Sequence, residues 1–174
     1  MPGEVRVVNV SSIGHRLFAP KVGIDFNDIN QEKGDTWSRY GQSKLANILH
    51  AKQLNELYGT GKHSKGQIWA VSLHPGNIYT DLTKNARFLY GLPTVLSSTL
   101  TKVMNFLGLF IPADQGAFTS VYCAASAEME AEMSGKYFVP FGKMGTPSGS
   151  AQDMEMASRL WDWTMKVFEA KGLL

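Results

Sequence analysis

Tyr40-Gly41-Gln42-Ser43-Lys44 places a phenol and an ammonium four residues apart, at the head of an apolar-periodic run through Leu45, Ala46, Ile48, Leu49, Leu54 and Leu57. Residues four apart share one face of a helix, so the two groups project side by side. A free phenol, with a pKa of about 10, is a poor proton donor or base at neutral pH. A fixed neighbouring cation favours the phenolate and brings that value down. Such a tyrosine can exchange a proton with a carbonyl or alcohol oxygen. The same spacing also suits a solvated helix face, and with 6 Tyr in the chain it arises readily by accident. Two further stretches give it chemical company: Val7-Val8-Asn9-Val10-Ser11-Ser12 upstream and His74-Pro75-Gly76-Asn77-Ile78-Tyr79-Thr80 downstream.

The elements that must position these groups can be read from the pattern. Val5, Val7, Val8 and Val10 form a β-branched run ended by Ser-Ser-Ile-Gly, which suits a strand covered on both faces and paired on both sides. Residues 16 to 38 show no sustained period and read as a long loop of the kind that lines a site. The organising helix is expected from about Arg39 to Tyr58, closed by Gly59 in a left-handed cap. Residues 67 to 73 read as a second buried strand stopped by Pro75-Gly76. Strand, helix and strand with so long a crossover predict a right-handed parallel unit, with the ligand crevice at the carboxyl ends of the strands. Ser11, Ser12 and residues 74 to 80 fall at those ends.

Beyond the Pro-Gly turn, residues 88 to 111 are the most apolar stretch, but Ser97, Ser98, Thr99, Thr101, Lys102 and Asn105 interrupt it, so it is not a membrane span. Leu96, Leu100, Val103 and Leu107 make a helical stripe that serves either core packing or contact with a substrate or a membrane surface. Residues 112 to 125 are expected as one helix, with Ala113, Gly116, Ala117 and Ala124 allowing close approach to a sheet. Residues 135 to 139 read as a third strand. Residues 152 to 170 form a final amphipathic helix, with Met154, Ala157, Leu160, Trp161, Val167 and Phe168 on its apolar side.

At 174 residues, 44% apolar and 18% charged, the chain is expected to build one core, a single domain over 1–174. A net charge of +2 implies no nucleic-acid partner. One cysteine excludes an internal disulfide, and the opening residues lack a signal core, so the expected location is intracellular, in the cytoplasm or at a membrane surface. The sequence carries no metal-ligand cluster and no repeat.

Together, Val-Asn-Val-Ser-Ser, Tyr40-Gly-Gln-Ser-Lys44-Leu-Ala-Asn and His74-Pro-Gly-Asn-Ile-Tyr-Thr80 resemble the short-chain dehydrogenase/reductase family. The wording is most similar to its retinol dehydrogenase branch and related fungal reductases, from Val5 to about Trp163. The resemblance implies an α/β fold, a Rossmann-type doubly wound parallel sheet. It implies an NAD(P)-dependent oxidoreductase that passes hydride between nicotinamide and a lipophilic carbonyl or alcohol, with NADP favoured over NAD. Tyr40 then matches the catalytic acid/base, and Lys44 the residue that depresses its pKa and holds the nicotinamide ribose. Ser12 matches the hydroxyl that holds the substrate oxygen. Pro75, Gly76 and Ile78 match the turn beside the nicotinamide carboxamide, and Thr80 a hydroxyl near the pyrophosphate. Ser11, Asn9 and His74 read as structural.

The family's opening strand and Gly-x-x-x-Gly-x-Gly turn have no counterpart in these 174 residues. The chain therefore reads as the second half of a family member, from a truncated product or a gene whose upstream exon is missing. A non-catalytic remnant acting as an interaction module is the alternative. A serine hydrolase using Ser12 and His74 fits poorly, because no Gly-x-Ser-x-Gly elbow surrounds Ser12. Homo-oligomer formation and membrane-surface contact through 88–111 are expected partnerships.

Overall fold

The computed structural model describes residues 5–60, 68–78, 99, 103 and 110–173. Within them the chain forms a four-stranded sheet in the order β1-β2-β3-β4, with helices against both faces. The strands are β1 (Val5–Val10), β2 (Ile68–Leu73), β3 (Tyr137–Val139) and β4 (Lys143–Gly145); the first three run parallel and β4 returns antiparallel. This is an incomplete Rossmann-type sheet, as expected from the sequence. The helices are α1 (Gly14–Leu17), α2 (Thr36–Tyr58), α3 (Ala113–Gly116), α4 (Phe118–Ala125) and α5 (Met154–Ala170).

Strand alternation divides the core in two. On one side Tyr137 of β3 joins Leu45, Ile48 and Leu49 of α2 with Ala157 and Leu160 of α5. On the other, Phe138 joins Val71 and Leu73 of β2 with Cys123 of α4 and Met129. Leu45, Ile48, Leu49 and Leu73 are wholly buried, each contributing about 1.5–3 kcal/mol of transfer free energy. β1 pairs along its whole length with β2, from Val5 opposite Ile68 to Val10 opposite Leu73. Ser11 extends the ladder through its N–H to Leu73 O (2.6 Å), and His74 N–H reaches Phe138 O (2.8 Å). Three strand ends therefore finish level, and the segments that follow them emerge at one edge.

α2 begins earlier than periodicity alone indicates, because Asp35 caps it by accepting from Ser38 N (2.7 Å), an interaction typically worth about 1 kcal/mol. Its other end corrects an expectation. Gly59 has φ −100° and ψ −126°, not a left-handed cap, although its N–H still closes on Asn55 O. Glycine is required there by space, since a Cβ would lie 2.3 Å from Asn55 Oδ1. The expected helix over 112–125 is broken between α3 and α4 at Ala117. Of its small residues only Gly116 makes the close approach, to Ile78 (2.4 Å to Cδ1 from a built Cβ), while Ala113, Ala117 and Ala124 are exposed. In α5, Ala157 and Leu160 are buried and Met156 and Trp163 pack on the core, whereas Met154 and Phe168 face solvent.

β1 also departs from its pattern. It packs between α2 and α4, but among the described residues it has one strand neighbour, and Val5 and Val10 are 55% and 43% exposed. At the opposite edge of the site, Ile78 and Ile111 form a parallel bridge reinforced by Ile111 N–H to Asn77 O (2.7 Å). Most of the apolar stretch 88–111 lies outside the described residues. Among the described residues no helix is long and apolar enough to cross a membrane.

Candidate active site

The end of β1 gathers three of the expected residues. Asn9-Val10-Ser11-Ser12 leaves the strand and turns into α1, and α2 crosses behind it. Ser11 Oγ donates to Lys44 O (2.7 Å), fixing the strand end to the helix. The Lys44 ammonium reaches back to Val10 O (3.2 Å), where Asn47 Nδ2 also donates (3.0 Å). From there it lies 5.6 Å from the centre of the Tyr40 ring, so the two side chains expected to share a face are neighbours. Asn9 serves as the inner brace, with Nδ2 donating to Asn47 O and to His50 Nδ1, both at 2.9 Å.

Two glycines bring the loop and the helix together. A Cβ on Gly14 would lie 2.5 Å from Tyr40 Cε1, so the phenol ring rests directly on the backbone of α1. A Cβ on Gly41 would lie 2.3 Å from Ala19 N and from Phe18 C. The second position of Tyr40-Gly41-Gln42-Ser43-Lys44 is thus glycine because two backbones touch there. Trp37 stands edge-on to Tyr40 (6.3 Å between ring centres) and packs on Phe18 (4.8 Å), which sets the ring's remaining wall. The phenol is 39% exposed.

Ser12 Oγ accepts from Gly14 N (3.1 Å). A hydroxyl that accepts one such bond keeps its own proton free to donate, which suits it to hold a carbonyl or alkoxide oxygen. Gly14 therefore has Ser12 on its N–H and the Tyr40 ring against its Cα. Pro75, Gly76 and Ile78 lie at the end of the adjacent strand, all half-buried. Gly76 turns there with φ +100°, a conformation that L side chains rarely adopt. Its N–H donates to His74 Nδ1 (3.1 Å). Thr80 lies outside the described residues.

Sequence reasoning missed His15, which is 2% exposed behind Ser12. Its ring contacts Ser12 O through Nδ1 (2.5 Å) and Ser148 N through Nε2 (3.1 Å), and meets Tyr137 edge-on at 5.3 Å. Burial, with the nearby Arg16 guanidinium adding to it, holds the His15 imidazole below its ordinary pKa. His74 is lowered by burial and by His15. No periodicity marks such a residue; its one sequence signal is its place three positions after Ser12.

A separate cavity of about 460 Å³ opens on another face of α2, between Arg39, Ser43, Asn47 and His50 and the α5 residues Leu160, Trp161 and Trp163. None of the expected site residues lines it. Among the described residues no cluster of three or more His, Cys, Asp or Glu could hold a metal.

Comparison with known proteins places these residues among relatives. The chain is 49% identical over 174 residues to the short-chain dehydrogenase/reductase drtF of Aspergillus calidoustus, covering 99% of this chain and 52% of that protein. It is 39% identical over 175 residues to an uncharacterized oxidoreductase of Schizosaccharomyces pombe, covering 97% and 46%. It is 35% identical over 159 residues to retinol dehydrogenase 12 of Mus musculus, covering 90% and 43%. A crystal structure of a putative uncharacterized protein from Mycobacterium paratuberculosis superposes with a TM-score of 0.59 at 25% identity, over 94% of this chain and 50% of that one. No family model matches the chain. The chain spans about half the length of the curated relatives it matches.

Proposed function

This chain is homologous throughout its length to the short-chain dehydrogenase/reductases, and from that premise we propose that it carries the proton-transferring half of an NAD(P)-dependent oxidoreductase acting on lipophilic carbonyls or alcohols. The observation that supports the reading best is the corner at the end of β1, where the Ser12 hydroxyl and the Tyr40 ring both contact Gly14 and the Lys44 ammonium stands beside the ring. A nicotinamide dinucleotide, when bound, supplies or takes up the hydride. In reduction the Ser12 O–H donates to the substrate oxygen and orients it, and Tyr40 gives its proton to the same oxygen as negative charge develops there. In oxidation the proton moves the other way. Lys44, anchored on Val10 O, offers its remaining N–H donors to ribose hydroxyls.

The residues present fit the nicotinamide end of such a cofactor. Gly76, Pro75 and Ile78 make a tight turn at the carboxyl end of a parallel strand, with Gly76 at φ +100° and packed too closely on Ile111 for a side chain. The pyrophosphate cradle, a glycine-rich turn opening a helix, is absent from these 174 residues, and so is any residue that would choose between NAD and NADP. NADP is the reading that the family resemblance favours. Thr80 is assigned to the pyrophosphate side on sequence position alone.

The test joins this chain to the N-terminal half of a relative in one polypeptide. Tyr40→Phe should abolish carbonyl reduction and leave cofactor affinity nearly unchanged, because only the proton-transferring oxygen is removed. Lys44→Ala should damage both. Wild-type turnover in the Phe variant would sink the assignment and favour the alternative, a non-catalytic interaction module.

A further inference from the structure

Ser12 can orient an oxygen only if its own backbone is held, and the structure shows what holds it. The carbonyl of Ser12 can only accept a hydrogen bond, so the His15 nitrogen facing it at 2.5 Å, Nδ1, carries the proton. The backbone N–H of Ser148 can only donate, so Nε2, facing it at 3.1 Å, carries the lone pair. Both partners are main-chain groups with fixed roles, and together they determine the tautomer. The ring is neutral, Nδ1-protonated and fully satisfied. It links the loop after β1 to the loop after β4, some 133 positions away in sequence. Arg16 adds a parallel tether, donating from Nη2 to Thr146 O (2.8 Å).

We propose that His15 is a positioning residue for the Ser12–Tyr40 site: its neutral imidazole clamps Ser12 to Ser148, and gaining a proton opens the clamp. The proposal rests on the reading of Ser12 and Tyr40 as the substrate-facing pair. A proton added at Nε2 would point at the Ser148 N–H, setting donor against donor and breaking that bond. One facing group favours the cation, the Ser12 carbonyl that accepts from Nδ1, but burial outweighs it and the remaining neighbours offer no further help. Arg16 on α1 is positively charged, His74 at the end of β2 is a second imidazole, and Tyr137 on β3 is a buried neutral phenol. No carboxylate is among these groups. The sign follows from the lowered pKa. In the unfolded chain His15 binds its proton at about pH 6.5, before the folded chain does, so the clamp's contribution is whole above that pH and is lost as pH falls below it. Release frees Ser12 together with Gly14, the surface on which Tyr40 rests.

Two measurements test this. In the 174-residue chain, uniformly labelled with 15N, the His15 spectrum should show a pyrrole-type Nδ1 and a pyridine-type Nε2 at pH 7.5. The Ser148 amide should shift in step as the ring titrates below pH 6.5. A protonated Nε2 at pH 7.5 overturns the clamp itself. In the joined enzyme described above, His15→Ala should lower kcat about 100-fold with little change in cofactor KM, the loss expected for a misplaced reacting group. It should also erase a step on the acid limb of the pH profile. His15→Asn keeps a donor near the Nδ1 position and should recover at least about a tenth of wild-type kcat. Wild-type kcat and an unchanged acid limb in both variants overturn the positioning role, even with the tautomer as stated. Failure of the oxidoreductase reading would show differently, as wild-type turnover in Tyr40→Phe while the imidazole spectrum stays as stated.

Discussion

Replacing Gly41 by alanine tests whether the Tyr40 corner is built on backbone contact. The added carbon would lie 2.3 Å from Ala19 N and Phe18 C and 2.7 Å from Phe18 O. Non-bonded atoms of this kind sit about 3.5–4.0 Å apart, so α1 and α2 must separate by more than about 1 Å. No side chain can swing away, because the obstructing atoms are main chain. Overpacking of a tight contact costs roughly 1–3 kcal/mol, and a clash with rigid backbone belongs at the upper end. Alanine regains about 1 kcal/mol of helix propensity over glycine inside α2, which leaves a net loss of about 2 kcal/mol. For a chain of this size that lowers Tm by roughly 4–8 °C. Gly149→Ala is the internal control: it sits at φ −55° and ψ −48° with nothing within 4 Å of a built Cβ. That change should be neutral, or stabilising by up to about 1 kcal/mol. Urea unfolding followed by tryptophan fluorescence reads both, and Trp37 beside Tyr40 reports the local displacement. A Gly41→Ala midpoint equal to that of Gly149→Ala would refute the reasoning.

Among the described residues the buried Tyr137 hydroxyl has no hydrogen-bond partner, so Tyr137→Phe should gain about 1 kcal/mol in urea unfolding. Burial pushes this phenol up to about 12 from 10, so the unfolded chain ionises first; stability holds below about pH 10 and falls as pH climbs towards 12. The Phe variant should lose less across that window, and parallel alkaline curves would contradict the assignment. The 174-residue polypeptide alone, lacking a glycine-rich phosphate turn, should show no saturable NAD or NADP binding by calorimetry at millimolar cofactor. With β1 paired on one side only among the described residues, it should also self-associate, and a monomer by light scattering that binds cofactor tightly would overturn both expectations. Joined to an N-terminal half, it should favour long-chain or ring ketones over sugars and short hydroxy acids, since each buried methylene adds roughly 0.8 kcal/mol. The opposite preference in kcat/KM would remove the apolar segment 88–111 from the pocket.

What the sequence disclosed follows from how each element is stabilised. β1 and β2 pack between helices, so their apolar runs are conspicuous, and α2 shows itself through Leu45, Ile48 and Leu49. β4 is hidden because Lys143-Met144-Gly145 is half exposed and pairs through backbone alone with β3. α1 is a single turn, too short to show a period, and it exists because Gly14 and Gly41 let it nest against α2. The Gly59 conformation was misread because a glycine after a helix most often supplies a left-handed cap, whereas this one makes room for Asn55. Ser12, Tyr40 and Lys44 were legible as short motifs. The clamp behind Ser12 was not, since His15 bonds two main-chain groups whose positions no side-chain pattern encodes.

The Ile78–Ile111 bridge gives the molecule a seam. On either side of residues 79 to 109, Ile78 and Ile111 are stitched together by the bridge and by Ile111 N–H on Asn77 O. Gly76 and Gly116 lock the seam from either side, each so close to an isoleucine of the pair that a methyl group would not fit. An insert closed in this way can change length cheaply, because doubling a loop costs only about 0.6 kcal/mol in closure entropy. The corner at the end of β1 and the Ile78–Ile111 seam beyond β2 therefore share none of their residues. Exchanging 79–109 between relatives, with both isoleucines and both glycines retained, should therefore leave Ser12, Tyr40 and Lys44 where they are.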